Sequence, residues 1–368
     1  MQFVLSELCE QVMTARAAKR PVYIRGGGTR QFYGRPFPDA VTSGLSWLDL
    51  SSYQGIVGYE PSELVLTARA GTLLSDIEDA LDDRGQMLAF EPPRFGGTGT
   101  LGGCVASGMS GPRRTAAGPL SDFVLGTRVL DASGSVLRFG GEVMKNVAGY
   151  DVSRLMVGSL GVLGALVEVS LKVMPKPRRE VTLVIESGEQ QALDRCLQWR
   201  SRPLPISATA WLADGAQGQS GRLMVRLSGN ESAVAQAVAD LGGEPLDEEP
   251  AAVFWRTLRD QTHDFFQARP LWRVVLPPGT PALNLGPTCI EWHGGLRWID
   301  ASQAPDVDVR GQAQALGGSA CLYRYTELVP EQSVFQPVAP ALMKIHRRLK
   351  AELDPAGLFN PGRLYSEL

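Results

Sequence analysis

At residues 22–30 the chain reads VYIRGGGTR, a short apolar run broken by three consecutive glycines, and the residues that follow restrict the fold sharply. A Rossmann dinucleotide loop must open a helix directly after its glycines, so that the helix N-terminus faces the pyrophosphate. Counting from Gly26, the third fingerprint glycine falls at residue 31, which is Gln31, and QFYGRPFPD then brings Gly34, Pro36 and Pro38. Proline in a helix interior removes a hydrogen bond and clashes with the preceding turn, so no helix opens there. Asp49 lies at the spacing of a ribose-binding acid, but the helix that would accompany it is missing. A Walker loop is excluded as well, since no GK[ST] occurs. Two readings of the loop remain. Successive N–H groups of Gly26, Gly27, Gly28, Thr29 and Arg30 converge on a phosphate as a nest, or the stretch is an ordinary glycine turn.

Further loops of the same kind follow. GGTGTLGGCVASGMSGPRR, residues 96–114, holds more glycine than a turn requires, with Thr100, Ser107 and Ser110 as hydroxyl donors, and glycine there lets backbone approach a ligand closely. MKNVAGYDVSRLMVGSLGVLGALVEVSLKVMP adds Lys145, Asn146 and Tyr150 and a glycine series at Gly158, Gly161 and Gly164. Between the loops lie β-rich segments such as LVLTARAG and the hairpin signal VLDASGSVLRF. A helix is expected over 73–84, capped by Thr72 and stopped by Gly85. This half reads as α+β with functional loops.

After VMPKPRRE the character changes, which places a domain boundary near Pro177. Beyond it VTLVIES reads as strand, residues 189–200 as helix, SATAWLAD and RLMVRLS as strands, and ESAVAQAVADLGG as helix. With the later strands LWRVVLP and CIEWHG this is βαββα plus strands, an antiparallel sheet covered by helices. From Pro337 the tail holds a helix, ALMKIHRRLKAEL, and a turn-rich end, LDPAGLFNPGRL. Neither an internal repeat nor a low-complexity segment stands out.

The 368 residues have room for two to three cores. Lys+Arg 36 against Asp+Glu 39 gives a formal charge of −3 with no basic tract, which argues against nucleic acid as a partner. The N-terminal stretch lacks the pattern of a secretory signal and no apolar run reaches the length of a membrane span, so a cytoplasmic location is expected. Cys9, Cys104, Cys196, Cys289 and Cys321 are far apart and never spaced as CxxC, which argues against a disulfide framework, structural zinc and iron–sulfur ligation. Only His263, His293 and His346 are available for a metal site or a Ser-His-Asp site, and no metal is expected.

RGGGT, TLGGCVASGMSG, KNVAGYD, GSLGVLGALVEVSLKVMP and LDPAGLFNPGRL, in that order, resemble the motifs of the vanillyl-alcohol-oxidase-type FAD proteins, in the glycolate oxidase and D-lactate dehydrogenase branch. Within that branch the chain is most similar to the FAD-binding subunits of bacterial glycolate oxidase complexes. The resemblance spans the first half and the tail, and the middle only in outline. It implies a PCMH-type FAD-binding domain of two subdomains at 1–177, an antiparallel-sheet cap domain at 178–336, and a C-terminal segment, 337–368, returning to the FAD domain.

By the same resemblance Gly26, Gly27, Gly28, Thr29 and Arg30 would wrap the FAD pyrophosphate. Thr100, Leu101, Gly102, Gly103, Ser107 and Gly108 would line the ribityl chain and flavin, and Lys145, Asn146, Gly149 and Tyr150 would lie at the flavin pocket. Gly161, Val162 and the residues to Val167 would hold the adenine, and Asn360 to Arg363 would return beside the flavin. Relatives with a histidyl-flavin bond carry histidine where Thr29 stands, so FAD is expected to be noncovalent.

The expected departure lies in the cap. Catalytic members of the branch carry an HxGDGNxH-like stretch and a second histidine-bearing stretch, for metal binding and for accepting the hydroxy-acid proton, and neither is present here. His293 and Arg297 in CIEWHGGLRW, and Arg324 in CLYRYTE, are the remaining weak candidates for catalysis or carboxylate binding. The resemblance therefore implies a subunit that oxidises glycolate or a similar 2-hydroxy acid together with a catalytic flavoprotein sister and an iron–sulfur subunit, reaching the membrane only peripherally through partners. The alternatives are a free-standing FAD oxidase or dehydrogenase of another hydroxy acid or alcohol, and a noncatalytic assembly subunit.

Overall fold

A computed structural model describes residues 1–38, 47–141, 150–214, 220–328 and 332–368, which form two compact units. The first comprises Met1–Met109, Pro119–Pro175 and Pro337–Leu368; the second comprises Ser110–Gly118 and Lys176–Gln336.

In the first unit, helix α1 (Gln2–Ala17) precedes a parallel pair, β1 (Tyr23–Arg25) and β2 (Trp47–Asp49). A five-stranded antiparallel sheet follows in the order β3 (Ile56–Glu60), β4 (Val65–Arg69), β8 (Ala165–Lys172), β6 (Val124–Leu130), β7 (Val136–Gly140). The short strands β5 (Gln86–Met87) and β9 (Met174–Pro175) pair beside it. ALVEVSLK is buried at six of its eight positions because β8 lies at the centre of the sheet, whereas every residue of edge strands β3 and β7 is partly or fully exposed. VLDASGSVLRF forms the expected hairpin, closed by Asp131, whose Oδ1 accepts the N–H groups of Ser133 and Ser135 at 2.8 and 2.9 Å.

The expected helix is α2 (Leu74–Asp82), which buries Leu74, Ile77 and Leu81 along one stripe. Its cap differs from expectation. Leu73 holds the N-cap position, and the Thr72 hydroxyl instead accepts the N–H of Gly55 at 2.8 Å, because tertiary contact with the preceding loop outcompetes local capping. Helix α3 (Leu101–Ser107) starts from Thr100 and ends at Gly108, whose φ of 66° closes it in a left-handed turn.

The second unit is built on an eight-stranded sheet in the order β13 (Glu244–Leu246), β10 (Arg179–Ser187), β12 (Gly221–Gly229), β11 (Ile206–Ala213), β15 (Thr288–Glu291), β16 (Leu296–Asp300), β14 (Leu271–Val275), β17 (Ser319–Arg324). Every pairing is antiparallel. Helices α4 (Glu189–Trp199) and α5 (Glu231–Leu241) bury Leu193, Cys196, Trp199 and Val234 against Leu183, Trp211 and Leu223, completing the βαββα pattern. Helix α6 (Glu248–Asp260) follows β13, and α7 (Val309–Ala315) packs Val309 and Ala313 on Trp272, Val274 and Ile299. CIEWHG is strand only as far as Glu291. Trp292 and His293 adopt φ of 54° and 55° and turn the chain back into β16.

The segment 110–118, which the sequence places inside the first domain, packs with the second unit. Trp292 Nε1 donates to Gly111 O at 3.0 Å, and Arg113 donates to Glu180 Oε2 at 2.8 Å. The final helix, α8 (Pro340–Leu353), belongs to the first unit, where Leu358 and Phe359 share a core with Leu8, Val12, Val22, Leu48 and Val167. Each such apolar side chain, once buried, contributes about 1.5–3 kcal/mol, so the tail is part of that core. No described helix is long and apolar enough to cross a membrane.

Candidate functional site

The end of β1 opens a cleft in the first unit, with about 800 Å³ of empty space that continues into solvent. Gly26, Gly27, Gly28, Thr29 and Arg30 line it, with Thr100, Gly102, Gly103, Ser107, Gly161 and Asn360. The structure thus brings together residues from three glycine loops and the tail. Among the described residues, the partly exposed N–H groups of Gly26, Gly27, Gly28 and Thr29 meet no protein acceptor and are available to a ligand. Four successive open donors in a concave wall match the needs of a pyrophosphate.

The glycines are required by packing. A Cβ on Gly27 would lie 1.5 Å from Thr98 O, one on Gly26 2.4 Å from Thr100 Oγ1, and one on Gly102 2.8 Å from the Ala70 Cβ. At Gly28, with φ 72°, a Cβ would meet nothing closer than Gln31 Nε2 at 3.6 Å, so the glycine there is required by its backbone angle and not by crowding. Arg30 fixes the loop from behind, donating to Thr29 Oγ1 and to Pro93 O while its guanidinium lies 5.3 Å from the Phe95 ring. Asp49 is engaged by Arg25 Nε at 3.1 Å and by the N–H of Ser51 at 2.9 Å, which explains its place without a ribose.

Asn360, only 4% exposed, braces the cleft. Its Oδ1 accepts from Ile24 N at 2.8 Å and its Nδ2 donates to Leu160 O at 2.6 Å. Arg363 Nη2 donates to Gln31 O and Tyr33 O at 2.8 and 2.7 Å. Lys350, in α8, donates from Nζ to Val162 O at 2.6 Å, to Phe359 O at 2.8 Å and to Asp354 Oδ2 at 2.6 Å. Asp354 in turn accepts from Leu358 N and Phe359 N. Sequence reasoning did not single out Lys350, because inside MKIHRRLKAEL it looks like any basic residue on a solvated helix; its i,i+4 spacing to Asp354 is the one available signal.

Other expected residues lie outside the cleft. Leu101, Val162 and Val167 are buried behind its wall as packing residues, and Gly108 closes α3 against Gly158. Tyr150 does not line it: its side chain is 96% exposed. Lys145, Asn146 and Gly149 lie outside the described residues.

In the second unit, Arg297 is 1% exposed and spends its guanidinium on carbonyl oxygens, from Nε to Gly294 O at 3.3 Å and from the two Nη atoms to Pro281 O and Thr280 O. It holds a turn and does not face a substrate. His293 Nδ1 lies 3.2 Å from Thr115 Oγ1 and its backbone N donates to Thr209 Oγ1 at 3.0 Å. Burial, with the Arg200 charge adding to it, pushes its pKa down to about 4, so the ring is neutral at pH 7. Arg324 Nη2 donates to Gln261 Oε1 at 3.3 Å. Among the described residues, the hydrogen bonds of His293, Arg297 and Arg324 run to other partners and none joins one of these candidates to another. Burial raises the thiols of Cys104 to about 11 and of Cys196 and Cys321 to about 12, which leaves them protonated packing residues.

Comparison with known proteins agrees with this geometry. The FAD binding domain family matches residues 5–140. The chain is 46% identical over 363 residues to the glycolate oxidase subunit GlcE of Escherichia coli K12, covering 98% of this chain and 97% of that protein. It is 32% identical over 164 residues to the glycolate oxidase subunit GlcD of Bacillus subtilis, covering 45% of this chain and 34% of that one. Among solved structures, alkyldihydroxyacetonephosphate synthase superposes with a TM-score of 0.63 at 14% identity, over 95% of this chain and 74% of that one, a likeness of fold. Fold and cleft together define an FAD-binding flavoprotein of the vanillyl-alcohol-oxidase type, with a PCMH-type domain, an antiparallel cap and a tail returning to the FAD domain. Within that class the chain belongs to the family of the glycolate oxidase subunit GlcE, a family of FAD-dependent oxidoreductase subunits.

Proposed function

We propose that this chain is the FAD-binding subunit of a complex that oxidises glycolate, or a similar 2-hydroxy acid, to the corresponding 2-oxo acid. The row of open N–H groups from Gly26 to Thr29 carries the reading, together with 46% identity to a glycolate oxidase subunit along nearly the whole chain. Bound FAD supplies the acceptor for the hydride lost from the substrate α-carbon. The protein's part is to bind and orient that cofactor. Gly26–Thr29 would hold the pyrophosphate through backbone N–H groups, Arg30 would support that loop, Thr100–Gly103 and Ser107 would flank the ribityl and flavin portions, and Asn360 keeps the Gly26 loop at a fixed distance from the Gly161 turn. Thr29 offers no nucleophilic imidazole, so the cofactor is held without a covalent bond.

Proton abstraction from the substrate hydroxyl needs a positioned base. His293 is hydrogen-bonded to Thr115 and Arg297 is saturated by carbonyls, which supports assigning the base to a catalytic flavoprotein sister. Onward electron transfer belongs to an iron–sulfur partner, and contact with the membrane is peripheral, through partners, on the cytoplasmic side.

The test is the visible flavin spectrum of the purified chain, before and after anaerobic glycolate. A yellow protein that stays yellow supports a cofactor-binding subunit dependent on its sister. Bleaching by glycolate would assign a complete active site to this chain and replace the proposal with a free-standing enzyme. A colourless chain that still assembles with its partners would make it an assembly subunit.

A further inference from the structure

We infer that Arg273, on the sheet of the second unit, is a receptor for a small carboxylate. In the cross-strand register Cys289, Trp298, Arg273 and Cys321 stand opposite one another on β15, β16, β14 and β17, so their side chains share one face. Three of the four are buried, and Arg273 is half-buried among them. Its guanidinium carbon lies 5.3 Å from the centre of the Trp292 ring and 5.9 Å from that of Trp298. Among the described residues, no hydrogen bond or ion pair engages this guanidinium. A half-buried arginine normally finds a carboxylate or carbonyl partner, because its N–H groups lose water on burial.

The acid on the same face is already used: Glu291, 4% exposed, accepts Trp298 Nε1 at 2.7 Å. More positive charge surrounds the site. Arg114 stacks on Trp292 at 4.5 Å, and although burial raises the Tyr323 phenol above its ordinary range, the Arg324 and Arg273 charges oppose that rise. Trp292 itself is held rigidly, by its bond to Gly111 O and by a turn in which it and His293 both take positive φ. Left-handed backbone at two successive non-glycine residues is costly, and strain of this kind gathers at functional sites. The result is a planar, bidentate donor framed by two indoles, suited to a carboxylate. The substrate class rests on the reading above, that the complex oxidises a small 2-hydroxy acid; the anion site itself rests on Arg273 alone.

The experiment titrates the purified flavin-loaded chain with oxalate, a carboxylate with no oxidisable C–H, and follows tryptophan fluorescence. The expected result is a saturable change that is lost in W292F or W298F. Arg273→Met should weaken oxalate about tenfold or more, while Arg273→Lys, which keeps the charge and loses the fork, should weaken it less. Unchanged melting and flavin content in these variants separate loss of the site from loss of the fold. The inference is overturned if Arg273→Met and the parent bind oxalate alike, if the parent shows no saturable response, or if sulfate competes as well as oxalate. Loss of flavin with the oxalate response intact would count against the proposed function and leave the anion site standing.

Discussion

Asn360 Oδ1 accepts the backbone N–H of Ile24 at 2.8 Å, a hydrogen bond between residues 336 positions apart in the chain. Through it the last turn of the protein sets the height of the strand that carries the glycine loop. Asn360 Nδ2 holds Leu160 O at 2.6 Å, and a Cβ on Gly161 would meet Nδ2 at 2.6 Å, so the amide fits a slot shaped by the Gly161 turn. Asn360→Ala leaves a buried donor and a buried acceptor unpaired, each costing about 1–3 kcal/mol. Urea unfolding should register that loss, and flavin affinity should fall because the loop is no longer fixed. Unchanged affinity would separate the brace from cofactor binding.

Gly27 and Gly28 are adjacent but should respond differently. A Cβ on Gly27 runs into Thr98 O, a backbone atom that cannot step aside, whereas one on Gly28 meets only the flexible Gln31 side chain at an ordinary 3.6 Å. Gly27→Ala should therefore give a folded chain with little or no flavin. Gly28→Ala, strained by about 1–2 kcal/mol at positive φ, should retain a weakened site. Visible flavin absorbance per chain distinguishes the two.

His293 makes stability depend on acid. Its pKa is pushed down to about 4, first by burial and then by Arg200, from the ordinary 6.5. Between those values the unfolded chain binds a proton that the native chain refuses. The stability associated with the neutral ring is thus complete above pH 6.5 and lost as pH falls toward 4. Asparagine tolerates the left-handed backbone and does not titrate in this range. On going from about pH 7.5 to about pH 4.5, unfolding free energy should fall by about 2–3 kcal/mol more in the parent than in His293→Asn. Parallel pH profiles from urea titrations would refute the assignment.

Thr29 sets the mode of cofactor attachment. Denaturing and precipitating the purified chain should leave all the flavin in the supernatant. Yellow colour or fluorescence retained on the denatured polypeptide would show a covalent link through another residue.

The glycine loops, their order and the βαββα run of the cap were legible because each rests on local rules. Steric tolerance at glycine, the β-branched and aliphatic residues of β8 and the apolar stripe of α2 are written within a few residues of where they act. The cap of α2 was misread because Thr72, an excellent local N-cap, is recruited by Gly55 from the preceding loop. Residues 110–118 look continuous with the glycine loop before them, yet Trp292 and Glu180, far away in sequence, claim Gly111 and Arg113. Arg297, a candidate for carboxylate binding in the sequence, donates to three carbonyl oxygens, and Arg273, which the sequence did not mark, has no such partner among the described residues.

Sequence by itself determined that a strand runs into three glycines without a following helix, that four more motifs follow in a fixed order, and that a histidine-rich catalytic stretch is missing. Those motifs carry the family resemblance that implies FAD, and they are readable in the sequence because backbone freedom and residue chemistry are local properties. Only the tertiary structure decided which polar groups are already satisfied. That depends on which distant carbonyl, carboxylate or indole arrives beside a given side chain, and hence on folding together segments hundreds of residues apart, as Lys350 with Val162 and Asn360 with Ile24 show.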